Sequence, residues 1–368
     1  MKIAMLTDRV QLGGGCEHIR QLAMALPRHE FVVCGDGGGS RALAALPNVT
    51  LQTRGCDWKT VASHRPDLVH VHHLRALCAL LVGWGKGRLP SLPIVNTLHG
   101  VHVRRYDFAR FPQTLPGIAR KALERSLFQQ VAINVALTED DARLLRELYG
   151  LRNVRVIANG IDHARLRAEV ARENDKGPGL RQTLGLTPDR RLLLTLARLD
   201  FAKGVDILIE AVARVQERLR QRGDCFAIVG DGPLRGDLER LARRRGVTDL
   251  VAFVGAVSGA RRFLVEAKAL IIPSRWEGLP LVLLEAGSLG RPVIAARVAG
   301  IAGIVEDGVS GRLFDCGDAA ALARLLVEDI ADETGVNLRS RVLSDHDSSA
   351  MARAHEALYD ALVSRGLA

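Results

Sequence analysis

The strongest constraint on this chain is an alternation, sustained along almost its whole length, of short apolar runs with longer segments of helical spacing. Lys2 to Leu6, Phe31 to Cys34, Leu68 to Val71 and Ile94 to Thr97 are largely apolar and bounded by turn residues, the pattern of strands buried on both faces of a parallel sheet. Between the first two, Glu17 to Leu26 follows a glycine turn with the spacing of an amphipathic helix. Arg167 to Arg190 interrupts the alternation, is polar, contains Lys-Gly-Pro-Gly at 176–179, and reads as a linker. A second series then begins, with strands expected at Leu192 to Ala197, Phe226 to Val229, Val251 to Val254, Leu270 to Pro273 and Val293 to Ala296.

The fold class expected is α/β, with two doubly wound Rossmann-like domains, a number that suits 368 residues. The boundaries expected are 1–166 for the first domain and 167–345 for the second. Residues 346–368 form a C-terminal helix, with Met351, Leu358 and Leu362 on one face, packing back toward the first domain. A hydrophobic content of 48% and a charged content of 25% exclude a disordered or low-complexity chain. The longest uncharged apolar stretch, Ala76 to Gly85, is far short of the roughly 20 residues a spanning helix needs. MKIAMLTDR is too soon interrupted by charge for a secretory leader, and Cys16, Cys34, Cys56, Cys78, Cys225 and Cys316 form no C-x-x-C pair. A cytoplasmic protein with reduced thiols is therefore expected.

The formal charge of +10 is unevenly placed: residues 1–166 carry 22 Lys and Arg against 13 Asp and Glu, a balance of +9 that leaves +1 for the remainder. A basic half of this kind suits nucleic acid, an anionic membrane or an acidic substrate, and charge alone does not choose among them. No nucleic-acid-binding motif accompanies it, so that class is set aside.

Chemistry concentrates where strands are expected to end. Pro273 to Ala286, PSRWEGLPLVLLEA, places Glu277 in a loop after a strand and Glu285 on the following helix. In a doubly wound domain both carboxylates face the ligand crevice, where carboxylates accept hydrogen bonds from sugar hydroxyls and Gly278 lets a phosphate approach a helix start. Thr195 to Ala211 ends a strand at Arg198 and sets Lys203 before a helix, so two cations five residues apart are expected to converge as a diphosphate requires. Gly13-Gly14-Gly15 after the first strand suits phosphate approach but lacks the third glycine of a dinucleotide fingerprint, as does GDGGG at 35–39. Gly230-Asp231-Gly232-Pro233 is a turn at the same sheet end. His99 sits where a side chain facing the crevice would. His70, His72 and His73 invite a metal reading, but strand alternation sends the third to the opposite face and no acidic ligand accompanies them, so no metal site is assigned. Asp345-His346-Asp347 has the D-x-D form but no preceding strand, and reads as a helix start.

Taken in order, G-G-x-E at Gly14 to Glu17, the His99-Gly100 pair, N-G-I-D at Asn159 to Asp162, R-L-D-F-A-K-G at Arg198 to Gly204, G-D-G-P, F-V-G at Phe253 to Gly255 and the two glutamates in W-E-G-L-P resemble the family 4 retaining glycosyltransferases of GT-B architecture. The resemblance implies two Rossmann-like domains facing a cleft and transfer of a hexose-type sugar from a nucleotide-diphosphate sugar with retention. It implies that Glu285 binds the ribose, Glu277 the sugar hydroxyls, Arg198 and Lys203 the diphosphate, and Gly15 the phosphate through its backbone. His99 would sit beside the transferred sugar, with Gly14, Gly232, Gly278 and Leu279 among the donor contacts. No cofactor or bound metal is implied. One departure is visible: the family's G-G-x-P-E before I-V-E-D-G is Ala299-Gly300-Ile301-Ala302-Gly303 here, which leaves the sugar less defined.

On the acceptor side, His99 to Arg125 carries six Lys and Arg against two acidic residues, with Tyr106, Phe108 and Phe111 interleaved with Arg104, Arg105 and Arg110. That composition suits an anionic or lipid-linked glycan acceptor and a peripheral position on an anionic membrane surface. A small soluble acceptor is the alternative, and a phosphorylase or epimerase of the same architecture is the competing enzyme class.

Overall fold

The computed structural model describes residues 1–10, 13–37, 40–53, 57–82, 92–100, 115–175 and 177–366. The chain forms two compact units, Met1–Gly160 with Ser348–Ala368, and Ile161–Asp347. The first holds seven parallel strands: β1 (Lys2–Arg9), β2 (Glu30–Asp36), β3 (Val49–Gln52), β4 (Leu68–Val71), β5 (Ile94–Leu98), β6 (Ile133–Ala136) and β7 (Val154–Val156). Their order is β3-β2-β1-β4-β5-β6-β7. The second holds six: β8 (Arg191–Leu196), β9 (Asp224–Val229), β10 (Val251–Gly255), β11 (Ala269–Ile272), β12 (Val293–Ala296) and β13 (Arg312–Phe314), in the order β10-β9-β8-β11-β12-β13 and again all parallel. Both units are Rossmann-like.

Burial on both faces explains the continuous apolar runs. Ile3 and Met5 of β1 join one hydrophobic core with Ile19, Leu22 and Tyr359, while Ala4 and Leu6 join another with Leu77 and Phe128. The strands that sequence pattern alone passes over are short: β3, β7 and β13 lie at sheet edges, and interior β6 carries Asn134, whose side-chain oxygen accepts from Asn96 at 2.9 Å.

The division between units falls at Gly160, ahead of Leu166, and Arg167 to Arg190 is not an extended linker. Asp162 caps the helix His163–Asn174 by accepting from the Arg165 amide at 2.9 Å, and this helix packs on the 3-10 segment Ala260–Val265 within the second unit. Asp345 closes the helix Asp332–Asp345, and the C-terminal helix runs Ser348–Gly366 in the first unit, against the helix Gly14–Ala25. No described helix is long and apolar enough to cross a membrane.

The C-terminal helix is anchored by a polar contact in the core as well as by apolar burial. Tyr359 Oη lies 2.7 Å from His70 Nδ1, and His70 Nε2 lies 2.7 Å from Thr97 Oγ1, all three residues being buried. Replacing Tyr359 by Phe leaves a buried ring nitrogen unpaired, at a cost of about 1–3 kcal/mol. The urea midpoint of Tyr359→Phe should fall accordingly; an unchanged midpoint would contradict this anchoring.

Candidate functional site

A parallel sheet directs loops to opposite faces where its strand order reverses, and the gap left there is where doubly wound domains bind ligands. The reversals fall between β1 and β4 in the first unit and between β8 and β11 in the second. The motifs emerge beside these two points.

In the second unit, Arg198 to Gly204 follows β8 and Pro273 to Pro280 follows β11. Asp200 accepts from the Ala202 amide at 3.1 Å and caps the short 3-10 turn Phe201–Lys203. Gly204 ends that turn at φ +61°, with the Pro273 carbonyl oxygen only 2.0 Å from where a Cβ would stand. No other residue combines that dihedral with that approach. The approach brings Lys203 against the neighbouring loop, where Nζ donates to Glu277 Oε1 at 2.8 Å and Oε2 at 2.9 Å while Ser274 Oγ donates to Oε1 at 2.7 Å. With side chains only 28% and 10% exposed, Lys203 and Glu277 are held in place.

The Arg198 side chain is 63% exposed and lies 3.7 Å from Asp200. Gly232 packs on the backbone beside it, since a Cβ there would meet the Leu199 carbonyl oxygen at 2.4 Å. Glu285, on the helix Leu281–Ser288, faces Arg261 at 3.6 Å, and Arg261 also reaches Glu169 at 3.3 Å. Gly278 and Leu279 are buried in the loop between the two glutamates. The departing segment keeps one feature that this loop needs: at Gly300 a Cβ would stand 1.5 Å from the Gly278 carbonyl oxygen.

In the first unit, the helix Gly14–Ala25 starts directly after the glycine loop, and Gly14 is exposed. Gly15 is roofed by His73, whose Cε1 lies 2.8 Å from the position of a Cβ. His73 Nδ1 is 3.0 Å from Thr7 Oγ1, and its ring stacks on His99 at 5.8 Å. His99, half-buried after β5, also contacts His72, Nε2 to Nδ1, at 3.2 Å. His70, His72 and His73 thus make different hydrogen bonds, to Tyr359, His99 and Thr7, although His72 and His73 both pack on His99, and no group of three ligating side chains that could hold a metal occurs among the described residues.

Behind His99 stands a core of buried imidazoles. His18, from the helix Gly14–Ala25, lies edge-on to His99 and His355, at ring distances of 5.3 and 5.6 Å. His18 Nδ1 is 2.8 Å from Asn159 Oδ1, and His355 Nδ1 is 3.0 Å from the Met351 carbonyl oxygen. The Nε2 atoms of both rings are buried without a hydrogen-bond partner. Burial lowers the His18 pKa to about 4 and that of His355 to about 3, and holds His70 and His72 well below the ordinary value. The H-V-H-H run at 70–73 announced His73 at a strand's carboxyl end, whereas His18, His355 and Arg261 are brought in by tertiary packing alone. Tyr106, Phe108, Phe111, Arg104, Arg105 and Arg110 lie outside the described residues.

Residues 12–165 match a family model described as Glycosyltransferase Family 4, and residues 190–332 match one described as Glycosyl transferases group 1. The chain belongs to the family 4 glycosyltransferases. It is 33% identical over 287 residues to D-inositol 3-phosphate glycosyltransferase 2 of Catenulispora acidiphila, covering 73% of this chain and 65% of that protein. It is 32% identical over 252 residues to the alpha-D-kanosaminyltransferase of Streptomyces kanamyceticus, covering 66% and 62%. The matched regions thus span just under two thirds of these curated relatives. Among solved structures, Anabaena Alr3699/HepE in complex with UDP-glucose superposes with a TM-score of 0.78 at 21% identity, covering 98% of this chain and all of that one. WaaG, a glycosyltransferase involved in lipopolysaccharide biosynthesis, gives 0.71 at 20% identity over 96% and 98%. These likenesses establish the GT-B class of fold.

The buried histidines make a prediction with a defined sign. An unfolded histidine takes up a proton near pH 6.5, whereas His18, His70, His72 and His355 stay neutral in the fold until far lower pH. The unfolded chain therefore binds more protons on acidification, and stability falls below pH 6.5 by up to about 1.4 kcal/mol per pH unit for each such group, levelling as the folded values are reached. Burial is the largest cause at all four. Tm should drop steeply between pH 7 and pH 5, and His355→Phe should flatten the slope. A flat wild-type profile would contradict the neutral histidine core.

Proposed function

We propose that this chain is a retaining glycosyltransferase that moves a hexose-type sugar from a nucleotide-diphosphate sugar to an anionic acceptor. The observation that carries the reading is the Lys203–Glu277 pair, braced by Ser274 at the strand reversal of the second unit. One carboxylate and one ammonium, each held by the other, are preorganised for a ligand bearing both hydroxyls and a diphosphate. On binding, Lys203 exchanges carboxylate oxygens for phosphate oxygens, and Glu277 accepts hydrogen bonds from sugar hydroxyls. Exposed Arg198 folds onto the diphosphate, and Arg261 releases or shares Glu285 as that carboxylate takes the ribose hydroxyls.

As the glycosidic bond to phosphate breaks, negative charge grows on the leaving oxygen, where a fixed cation lowers the barrier. The acceptor attacks on the face the leaving phosphate occupies, and that phosphate takes the acceptor's proton, which retains the anomeric configuration. His99 stands beside the transferred sugar, and the Gly14-Gly15 amides meet phosphate. By resemblance to the family, no resident metal is needed, because Arg198 and Lys203 supply the countercharge.

The chain's charge and its relatives support an anionic acceptor. The balance of +9 over residues 1–166 calls for an anionic group. Relatives of this chain are D-inositol 3-phosphate glycosyltransferases, which supports a small phosphorylated acceptor beside the lipid-linked one suggested by the aromatic and arginine-rich segment after His99. The same segment supports a place at the cytoplasmic face of a membrane.

A panel of nucleotide sugars screened by thermal shift should give a donor-specific rise in Tm. Lys203→Ala should lower kcat roughly 10²- to 10³-fold, the loss typical of removing one group that stabilises developing negative charge. Glu285→Ala should abolish the donor-induced shift while leaving the ligand-free Tm nearly unchanged. Near-normal turnover in Lys203→Ala, or an unchanged donor shift in Glu285→Ala, would contradict the roles assigned.

A further inference from the structure

The partners of His72 determine which nitrogen of His99 carries a proton. His72 lies just past the end of β4 and is buried. Its Nε2 is 3.4 Å from the thioether sulfur of Met5. A thioether has no proton to give, so this contact is a hydrogen bond only when His72 Nε2 carries the hydrogen. A neutral imidazole holds one ring proton, which leaves Nδ1 of His72 as a lone pair, and that lone pair is 3.2 Å from Nε2 of His99. The proton in that contact therefore sits on His99. A doubly protonated His72 would invert the logic, but burial holds its pKa well below the ordinary value.

Packing fixes the His99 ring as firmly as the hydrogen bond does. His72 stacks on it at 5.4 Å, His73 at 5.8 Å, and His18 meets it edge-on at 5.3 Å with an interplanar angle of 81°. These imidazoles come from two elements, the helix Gly14–Ala25 and the end of β4, so the ring is confined on several sides.

We propose that His72 is a positioning residue for His99: its Nδ1 accepts the Nε2 proton of His99, fixing one tautomer and one ring orientation and making Nδ1 the lone-pair nitrogen of His99. The inference rests on the reading above that His99 stands beside the transferred sugar, and it adds which atom of that ring serves it. A neutral His99 in this tautomer meets a sugar hydroxyl as an acceptor through Nδ1, while Nε2 stays committed to the interior.

The test is spectroscopic first and kinetic second. Long-range ¹H–¹⁵N spectra of ¹⁵N-histidine-labelled protein, with His99 assigned through His99→Gln, should show the Nε2–H tautomer in the full chain without any substrate. His72→Leu removes the acceptor and should give mixed tautomers, with kcat reduced about 10- to 100-fold, as for a misplaced reacting group, and donor KM changed less than threefold. His72→Asn keeps an oxygen near the former Nδ1 and should restore the tautomer and most of kcat. Both variants are compared at equal helical content and equal donor-induced thermal shift, so a folding defect is visible as such. A wild-type His99 protonated on Nδ1, a pure Nε2–H tautomer persisting in His72→Leu, or a folded His72→Asn as defective as His72→Leu would each overturn the proposal. Because the tautomer is read without substrate, a chain that shows it and transfers no sugar supports the His72–His99 pair and counts against the proposed activity.

Discussion

Each sheet of this protein reverses its strand order once, between β1 and β4 and between β8 and β11, and the placement of the chemistry depends on those reversals. A parallel strand is left at its carboxyl end, and loops from the two strands flanking a reversal turn to opposite sides, so the backbone opens there. In the second unit the two flanking loops supply Lys203 and Glu277, which meet as an ion pair because Gly204 lets one loop rest on the Pro273 carbonyl of the other. In the first unit the flanking segments supply Gly15 and His73, packed so closely that a side chain at Gly15 would displace the imidazole. Both pairs join residues far apart in sequence through the same feature of parallel topology.

The two units set different polar groups beside their strand reversals. The second pairs its partly buried side chains of opposite sign, Lys203 with Glu277 and Arg261 with Glu169 and Glu285. The first fills the space behind His99 with imidazoles that burial keeps neutral. Neutral rings transmit orientation through directed hydrogen bonds and stacking without imposing a field on a charged ligand. The cost is a core that loses stability in acid and includes two ring nitrogens, on His18 and His355, with no partner.

The sequence made the architecture legible because burial on both faces writes strands as apolar runs: β1, β2, β4, β5 and β8 to β12 were recognisable as such runs. Edge strands β3, β7 and β13 were not, since three or four residues with one exposed edge need little apolar content. The supposed linker after Leu166 is a capped helix instead, because amphipathicity there is weak and its docking partner, Ala260–Val265, lies nearly a hundred residues on. Of the site, Glu277 and Lys203 were legible as motif residues, but their mutual pairing was not. Arg198 was read as converging with Lys203 on one end of the sheet, and its exposed side chain lies 3.7 Å from Asp200. The histidines at 70–73 were read by strand alternation, yet β4 ends at Val71, His72 and His73 both pack on His99, and His18 and His355 come in from other elements.

Sugar transfer with retention, by a site that handles diphosphate and sugar hydroxyls together, leaves its signature at the anomeric carbon. Real-time proton NMR of the reaction, using α-linked UDP-hexoses as donors and D-inositol 3-phosphate as the acceptor probe, reports the configuration at the anomeric carbon as product forms. The account predicts a new α-anomeric signal growing as the donor signal decays. A β-anomeric product, or donor consumption that yields only an epimerised sugar nucleotide, would contradict it.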